Sequence, residues 1–412
     1  MGVELSGYGF YLGRRAESVR DDLKVRSLFL QAGDSGLVLM SADLIGFSVE
    51  FSDGLRRAVA RSVHVPVANV LLACTHTHTG PATIPLPGIG EMDESYMGTL
   101  PDAMSQAARA AVSDAREASF SIASEAVEPI GFNRRTGTFD GIDPTLNVAS
   151  FTRTDGKIFL MNYACHAVTL GRAPEVSADW PGAAVRAIEA RGHRALLFQG
   201  FCGDIDPVTN LNRWGDGSTE DLKLYGEILA GRALKGERHS PPSIDTDIRS
   251  LEKRIRVPLA VPARGAIETQ AAFFLEKNSG FPKADRFAAE WKKIAHDHYD
   301  KIAAAPYIDD VPVQAISVGA MKIIAFPAEV FSAYSLILKK EFPGLFTFGY
   351  ANGDIGYLPS ESAFADPGDY AANCAPMFYT AFPFTPDVPK LLVSTARELL
   401  EALQGKMAPP AD

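Results

Sequence analysis

Two histidines set one residue apart give this chain its first chemistry. THTHTG (residues 75–80) places His76 and His78 directly after the apolar run Val70-Leu71-Leu72-Ala73-Cys74, which reads as a buried strand. A strand carried on through them would point both imidazoles to one side, with Gly80-Pro81 ending it. Two imidazoles at the rim of a sheet make half a metal site; an isolated His-x-His equally ends an ordinary strand. His166 likewise follows an apolar run and precedes a polar loop, where, alone, it reads as a packed core histidine. Glu329 lies where a strand gives way to a helix, and alone it is a first-turn carboxylate favoured by the helix dipole. Tyr357 alone is a loop aromatic, and Asp43, Asp179 and Asp204 read singly as turn or cap residues.

The elements that must hold these groups mix hairpins with strand–helix units. Residues 24–31 and 36–40 are apolar runs joined by Gly33-Asp34-Ser35-Gly36, and residues 146–152 and 157–163 flank Asp155-Gly156. Both pairs carry hairpin signals. Residues 70–75, 120–126, 195–199, 251–257, 313–318, 322–326 and 345–350 read as further strands. Helical spacing marks residues 49–63, 100–117, 330–341 and 387–403, and a further helix opens at Ser177-Ala178-Asp179-Trp180-Pro181-Gly182. Ser218 and Asp221 resemble a capping pair at the head of a helix over 218–234. Residues 266–304 form an Ala-, Lys- and Glu-rich helical insertion within about 262–306, and its His296 and His298 do not share a face. Several strands end in polar, Gly-rich loops, at His76, His166, Asp204, Glu329 and Asn352. Ligands bind beyond strand ends in α/β sheets, so five such loops predict one rim and one site. The expected fold is α/β: a central twisted mixed β-sheet or sheets flanked by helices. It forms a single large domain over residues 1–405, with a loose tail at 406–412.

Composition narrows the partners. The 412 residues are 46% hydrophobic and 22% charged, ordinary values for a soluble globular chain. Net charge is −10 with no basic run, which argues against nucleic acid. No apolar stretch reaches about 18 residues, so no transmembrane segment is expected. The N-terminus lacks a charged leader followed by an apolar core, and the four cysteines show no CxxC spacing. Reduced thiols in a cytoplasmic protein are the simplest reading.

ACTHTHTGP, NYACHAVTLG, SADWPG, QGFCGDIDP, FPAEVF and GYANGDIGYLP occur in this order along the chain. Together they resemble the motifs of the neutral/alkaline (non-lysosomal) ceramidase catalytic domain, over roughly residues 7–405. The resemblance implies a zinc amidohydrolase with one Zn2+ per chain, held by His76, His166, Glu329 and Tyr357. It implies that His78 stands beside the metal as acid/base or oxyanion donor. Arg134 and Tyr370 would contact the substrate head, Tyr370 at a spacing slightly longer than the family's. Asp43, Asp179 or Asp204 would orient the ligand histidines from behind.

The departures bear on substrate. Ceramidases carry Gly-Asp-Val-Ser-Pro where this chain has Gly203-Asp204-Ile205-Asp206-Pro207, so Asp206 replaces a serine. They also have a C-terminal immunoglobulin-like domain, which would begin where this chain ends. The leading expectation is a hydrolase of an amide or related acyl bond, acting on a small-molecule substrate such as an N-acyl compound. One alternative is a ceramidase releasing sphingoid base and fatty acid; another is a metal-binding or regulatory protein without turnover. Metallo-β-lactamase-like sites want His-x-His-x-Asp-His, which Gly80-Pro81 interrupts, and the hairpins argue against a barrel amidohydrolase.

Overall fold

The structure is a computed structural model describing residues 2–379 and 382–405. The expected tail at 406–412 lies outside the described residues. Three mixed sheets carry the fold. In the first, Val25–Ala32 pairs antiparallel with Ser35–Ala42, which pairs parallel with Val70–Cys74. In the second, Ser119–Ala126, Thr145–Arg153 and Gly156–Tyr163 run antiparallel in turn, and Gly156–Tyr163 pairs parallel with Arg194–Gln199. In the third, Ile248–Pro258, Tyr307–Val318 and Met321–Ala325 are antiparallel, and Met321–Ala325 pairs parallel with Phe346–Phe348. None of these sheets closes into a barrel among the described residues.

Each sheet thus contains one parallel pair, and a parallel pair needs a crossover. The helices Val49–Val63, Asp179–Glu189 and Ser332–Glu341 supply the three. The first of them starts at Ser48, whose Oγ accepts the Phe51 N–H at 3.2 Å, a cap of the kind worth about 1 kcal/mol. Loops at the carboxyl ends of all three pairs are then sewn together. Cys74 N donates to Tyr350 O (3.1 Å), Gly200 N to Tyr163 O (2.7 Å), Gly349 N to Gln199 O (3.1 Å) and Tyr350 N to Ala328 O (3.1 Å). Gln199 Nε2 reaches Thr75 O at 3.1 Å. One rim therefore collects the strand ends that carry His76, His166 and Glu329.

Strand periodicity places the core. Leu37 and Leu39 pack with Leu71, Leu160, Phe198 and Phe348 where the sheets meet, while Val38 and Met40 face the helical side with Val59, Leu55 and Met104. Phe198 and Phe348 stack at 4.3 Å. Ile267–Lys277 and Ala284–Ala304 lie between the first two strands of the third sheet and bury Phe274, Phe287 and Trp291 against Phe10 and Phe378.

Two local expectations change. The helix expected over 100–117 runs Glu94–Ser113, because Asp93 caps it by accepting the Tyr96 N–H at 2.8 Å, and Pro101 sits inside it. The strand expected to carry both histidines of THTHTG stops at Cys74. His76 has a left-handed backbone, φ +61°, so the chain turns there and strand alternation does not set the two imidazoles. No helix among the described residues is long and apolar enough to cross a membrane.

Candidate metal centre

The turn at His76 is held by its own neighbours. His76 N donates to Leu44 O (2.9 Å), its ring Nδ1 lies 2.7 Å from Ile45 O, and the ring stacks on Tyr350 at 3.9 Å. The left-handed conformation of a bulky residue is strained, and such strain persists where surrounding contacts over-determine it. His166 is fixed the same way. Its Nδ1 lies 2.7 Å from Cys202 O and 3.2 Å from Ile205 O, while Trp180 Nε1 donates to its carbonyl at 3.0 Å. A carbonyl only accepts, so each Nδ1 carries the hydrogen, and in its neutral form each ring turns a bare Nε2 inward.

Both Nε2 atoms face one carboxylate oxygen. His166 Nε2 is 3.1 Å and His76 Nε2 3.3 Å from Glu329 Oε2. All three side chains are buried. His78 Nε2 lies 3.0 Å from His76 Nε2, and the three imidazoles offer ring nitrogens within 4.8 Å of one another. With both rings neutral, two imidazole nitrogens and a carboxylate oxygen converge as electron-pair donors. Nitrogen and carboxylate donors meeting in this way fit a divalent first-row cation such as zinc.

Burial and the mutual charges of the cluster set its protonation. Burial lowers the His76 imidazole and, joined by His76 and His166, lowers His78 further. Burial alone would raise Glu329, but the two histidines win and hold its carboxyl well below the usual range. Where no cation is present, a proton relieves the crowding. Burial and Arg134 act to lower His166, Cys202 and Glu329 act to raise it, and it is pushed up to about 10.

His78 owes its place to a glycine. A Cβ at Gly7 would lie 2.2 Å from His78 Nδ1, and Gly7 itself has a left-handed backbone, φ +80°. Tyr8 then covers the imidazole at 5.2 Å. Gly7→Ala is therefore expected to push His78 aside while His76, His166 and Glu329 stay in place. An activity that depends on His78 would then fall about 100-fold, the cost of a displacement near 1 Å, and any metal held by the other three groups would be retained, as activity and elemental analysis would read.

Tyr357 enters through a two-residue parallel pairing in which it stands opposite Glu329. The Arg134 guanidinium lies 5.3 Å over its ring. Burial raises this phenol well above its ordinary value, Arg134 opposes that, and Glu329 adds to it. Arg134 is anchored by Gly203 O (2.7 Å) and Asp206 Oδ1 (3.3 Å). Tyr370 is 43% exposed and packs its ring 6.2 Å from that of Tyr357. Two groups that the sequence does not single out also bear on Glu329: Tyr379, whose hydroxyl donates to Glu329 Oε1 at 2.8 Å, and Asp354, which lies 3.4 Å from the same hydroxyl. Burial and then Glu329 push the Asp354 carboxyl well up. Asp354 lay inside the GYANGDIGYLP motif and could have been singled out; Tyr379 sits in no motif.

The three aspartates expected behind the ligand histidines do not reach them. Asp43 accepts from Arg26 Nη1 (2.7 Å) and Lys24 N (3.0 Å). Asp179 accepts the N–H groups of Thr169, Leu170 and Trp180. Asp204 accepts Ser332 N (2.7 Å) and Asn133 Nδ2 (3.1 Å). Carbonyls of Ile45, Cys202 and Ile205 already occupy both Nδ1 positions, which leaves no vacancy for a carboxylate. Asp204 still braces the loop that carries the Cys202 and Ile205 carbonyls. Asn352, the fifth loop residue, is buried away from the cluster and bonds Leu72 N and Gln314 Oε1.

A cavity of about 840 Å³ opens onto His76, His78, Glu329, Tyr357, Tyr370 and Tyr379. A larger groove of about 1520 Å³, along Val25–Ala32 and Ser119–Phe120, contains none of them.

No family model and no curated protein matches this chain. Solved structures do. The neutral ceramidase of Pseudomonas aeruginosa is 16% identical with a TM-score of 0.71, over 100% of this chain and 74% of that one. A ceramidase complexed with C2 gives 16% and 0.71 over 100% and 75%. At that identity the likeness is one of fold: this chain has the fold of the neutral ceramidases over its whole length.

Proposed function

We propose that this chain is a zinc-dependent hydrolase of an amide or related acyl bond. The observation that carries the reading is the meeting of His76 Nε2, His166 Nε2 and Glu329 Oε2 beside a cavity that His76 and Glu329 line. In the proposal these three hold one Zn2+, and Tyr357 supplies a fourth donor, its loss of a proton favoured by Arg134. A cation bound there supplies a Lewis acid for a carbonyl oxygen and lowers the pKa of water toward about 7. His78, kept neutral by burial, accepts a proton at Nε2 from the attacking water and returns it to the leaving nitrogen. Arg134 and Tyr370 bind the substrate head, and Tyr379 holds the Glu329 carboxylate from its other oxygen.

The direct test is metal analysis of the purified chain with an amide and ester panel, before and after chelation. Zinc near one equivalent with chelator-sensitive hydrolysis is expected. One equivalent of zinc with no hydrolysis of any member would favour a binding or regulatory role instead. Ceramide is a second reading, favoured by the fold likeness to neutral ceramidases; release of sphingosine from labelled ceramide decides it.

Tyr357→Phe and Tyr379→Phe separate a ligand from a supporting group. Losing a supporting hydrogen bond typically costs about 10–100-fold in metal affinity, which is the range expected for Tyr379→Phe. Tyr357→Phe should cost more by competition with a zinc indicator. The reverse order would assign the fourth position to Tyr379.

A further inference from the structure

The hydrolase reading leaves the substrate open, and the cavity's charge narrows it. The chain has 50 acidic against 40 basic residues. The cavity lining reverses this balance, with Arg134, Arg172, Arg213 and Lys277 against Glu329 and Asp216. Glu329 belongs to the histidine cluster, and the charge of Arg134 is offset by Asp206 at 3.3 Å. The other three cations are exposed, at the solvent side of the cavity. Arg213 meets Asp216 at 3.5 Å, but the two side chains are 81% and 51% exposed, so the pair is weak. Arg172 and Lys277 have no carboxylate partner among the described residues.

Behind this wall the potential is reinforced. Arg14 spends its guanidinium on the carbonyls of Ser6, His78, Gly171 and Ala173, which neutralise none of its charge. Burial, with Arg172 nearby, lowers it to about 10, still protonated at neutral pH. The same cavity is lined by the apolar side chains of Phe10, Leu86, Ile89, Trp214, Phe281 and Phe378. The buried Tyr8 hydroxyl on this wall has no hydrogen-bond partner. A cleft with low-dielectric walls focuses the field of its charges on whatever enters.

We propose that the substrate is an anionic amphiphile, its acyl carbonyl at the His76–Glu329 end, its apolar body along the walls, and a carboxylate, sulfonate or phosphate met by Arg172, Arg213 and Lys277. This rests on the hydrolase reading for the carbonyl and on the cavity alone for the charge. Two matched pairs of probes place the charge on either side of an amide. N-octanoyltaurine against N-octanoylethanolamine carries it on the amine side; suberic acid mono-N-ethylamide against N-ethyloctanamide carries it on the acyl side. Binding is measured by calorimetry on the full chain, zinc-free and zinc-loaded, and kcat/KM on the zinc-loaded form.

The anionic member of at least one pair should bind about tenfold tighter, zinc-free as well as zinc-loaded, and the advantage should shrink between about 20 and about 200 mM salt. Combining Arg172→Gln, Arg213→Gln and Lys277→Gln should remove the advantage with the circular dichroism spectrum unchanged. Equal binding within both pairs, an advantage that survives the triple variant, or no detectable binding of any probe would overturn the proposal. A charge preference without zinc-dependent turnover would instead overturn the hydrolase reading and leave the anion site standing.

Discussion

His166→Ala is expected to leave the purified chain without zinc and without hydrolytic activity. His166 supplies one of two Nε2 atoms that meet Glu329 Oε2, at 3.1 Å, and its ring is fixed by two carbonyls. Water entering the space left by the imidazole cannot reproduce that fixed donor. The loss in affinity should exceed the roughly 10–100-fold typical of a supporting contact. His166 and His76 also hold the buried Glu329 carboxyl ionised. Removing one partner of a buried charge costs about 3–5 kcal/mol, so the zinc-free variant should also melt earlier than the zinc-free parent. Elemental analysis and a melting curve read the two effects separately. Full zinc occupancy in His166→Ala would remove the metal centre from the account.

His78→Ala should separate binding from turnover. In the proposal His78 touches the metal site without being one of its four donors, and its Nδ1 is buried without a partner. Zinc should remain near one equivalent, while kcat falls by about 10²–10⁴-fold, the usual worth of a positioned acid or base. Because burial keeps this imidazole neutral, the parent is expected to use it as an acceptor first. A His78→Ala variant that turns over amide at the parental rate would transfer proton movement to another group, with the Tyr379 hydroxyl next in reach of Glu329.

Much of this architecture is legible from local patterns. The spacing over residues 49–63 predicts the Val49–Val63 helix, and the turn dipeptide Asp155-Gly156 predicts the hairpin it closes. The Ser218–Asp221 capping pair forms at the head of Thr219–His239. Such features depend on neighbours in sequence. The way three parallel pairs pool their carboxyl ends does not, since it follows from contacts between sheets. The same division holds at the site. His76 and His166 stand out because a charged-capable side chain follows an apolar strand. Tyr379 and Tyr350 do not, because a tyrosine beside a proline-rich loop or a strand end looks like any other aromatic. Strand alternation fails at His76 because a left-handed backbone there is set by contacts to Leu44 and Tyr350, which no spacing rule contains.

The two inner imidazoles are aimed by main-chain oxygens of Ile45, Cys202 and Ile205. Every amino acid brings such an oxygen, so no point mutation can delete one. The aim of the two rings is therefore set by the path of the chain, and a substitution at those three places would disturb it only by moving the backbone.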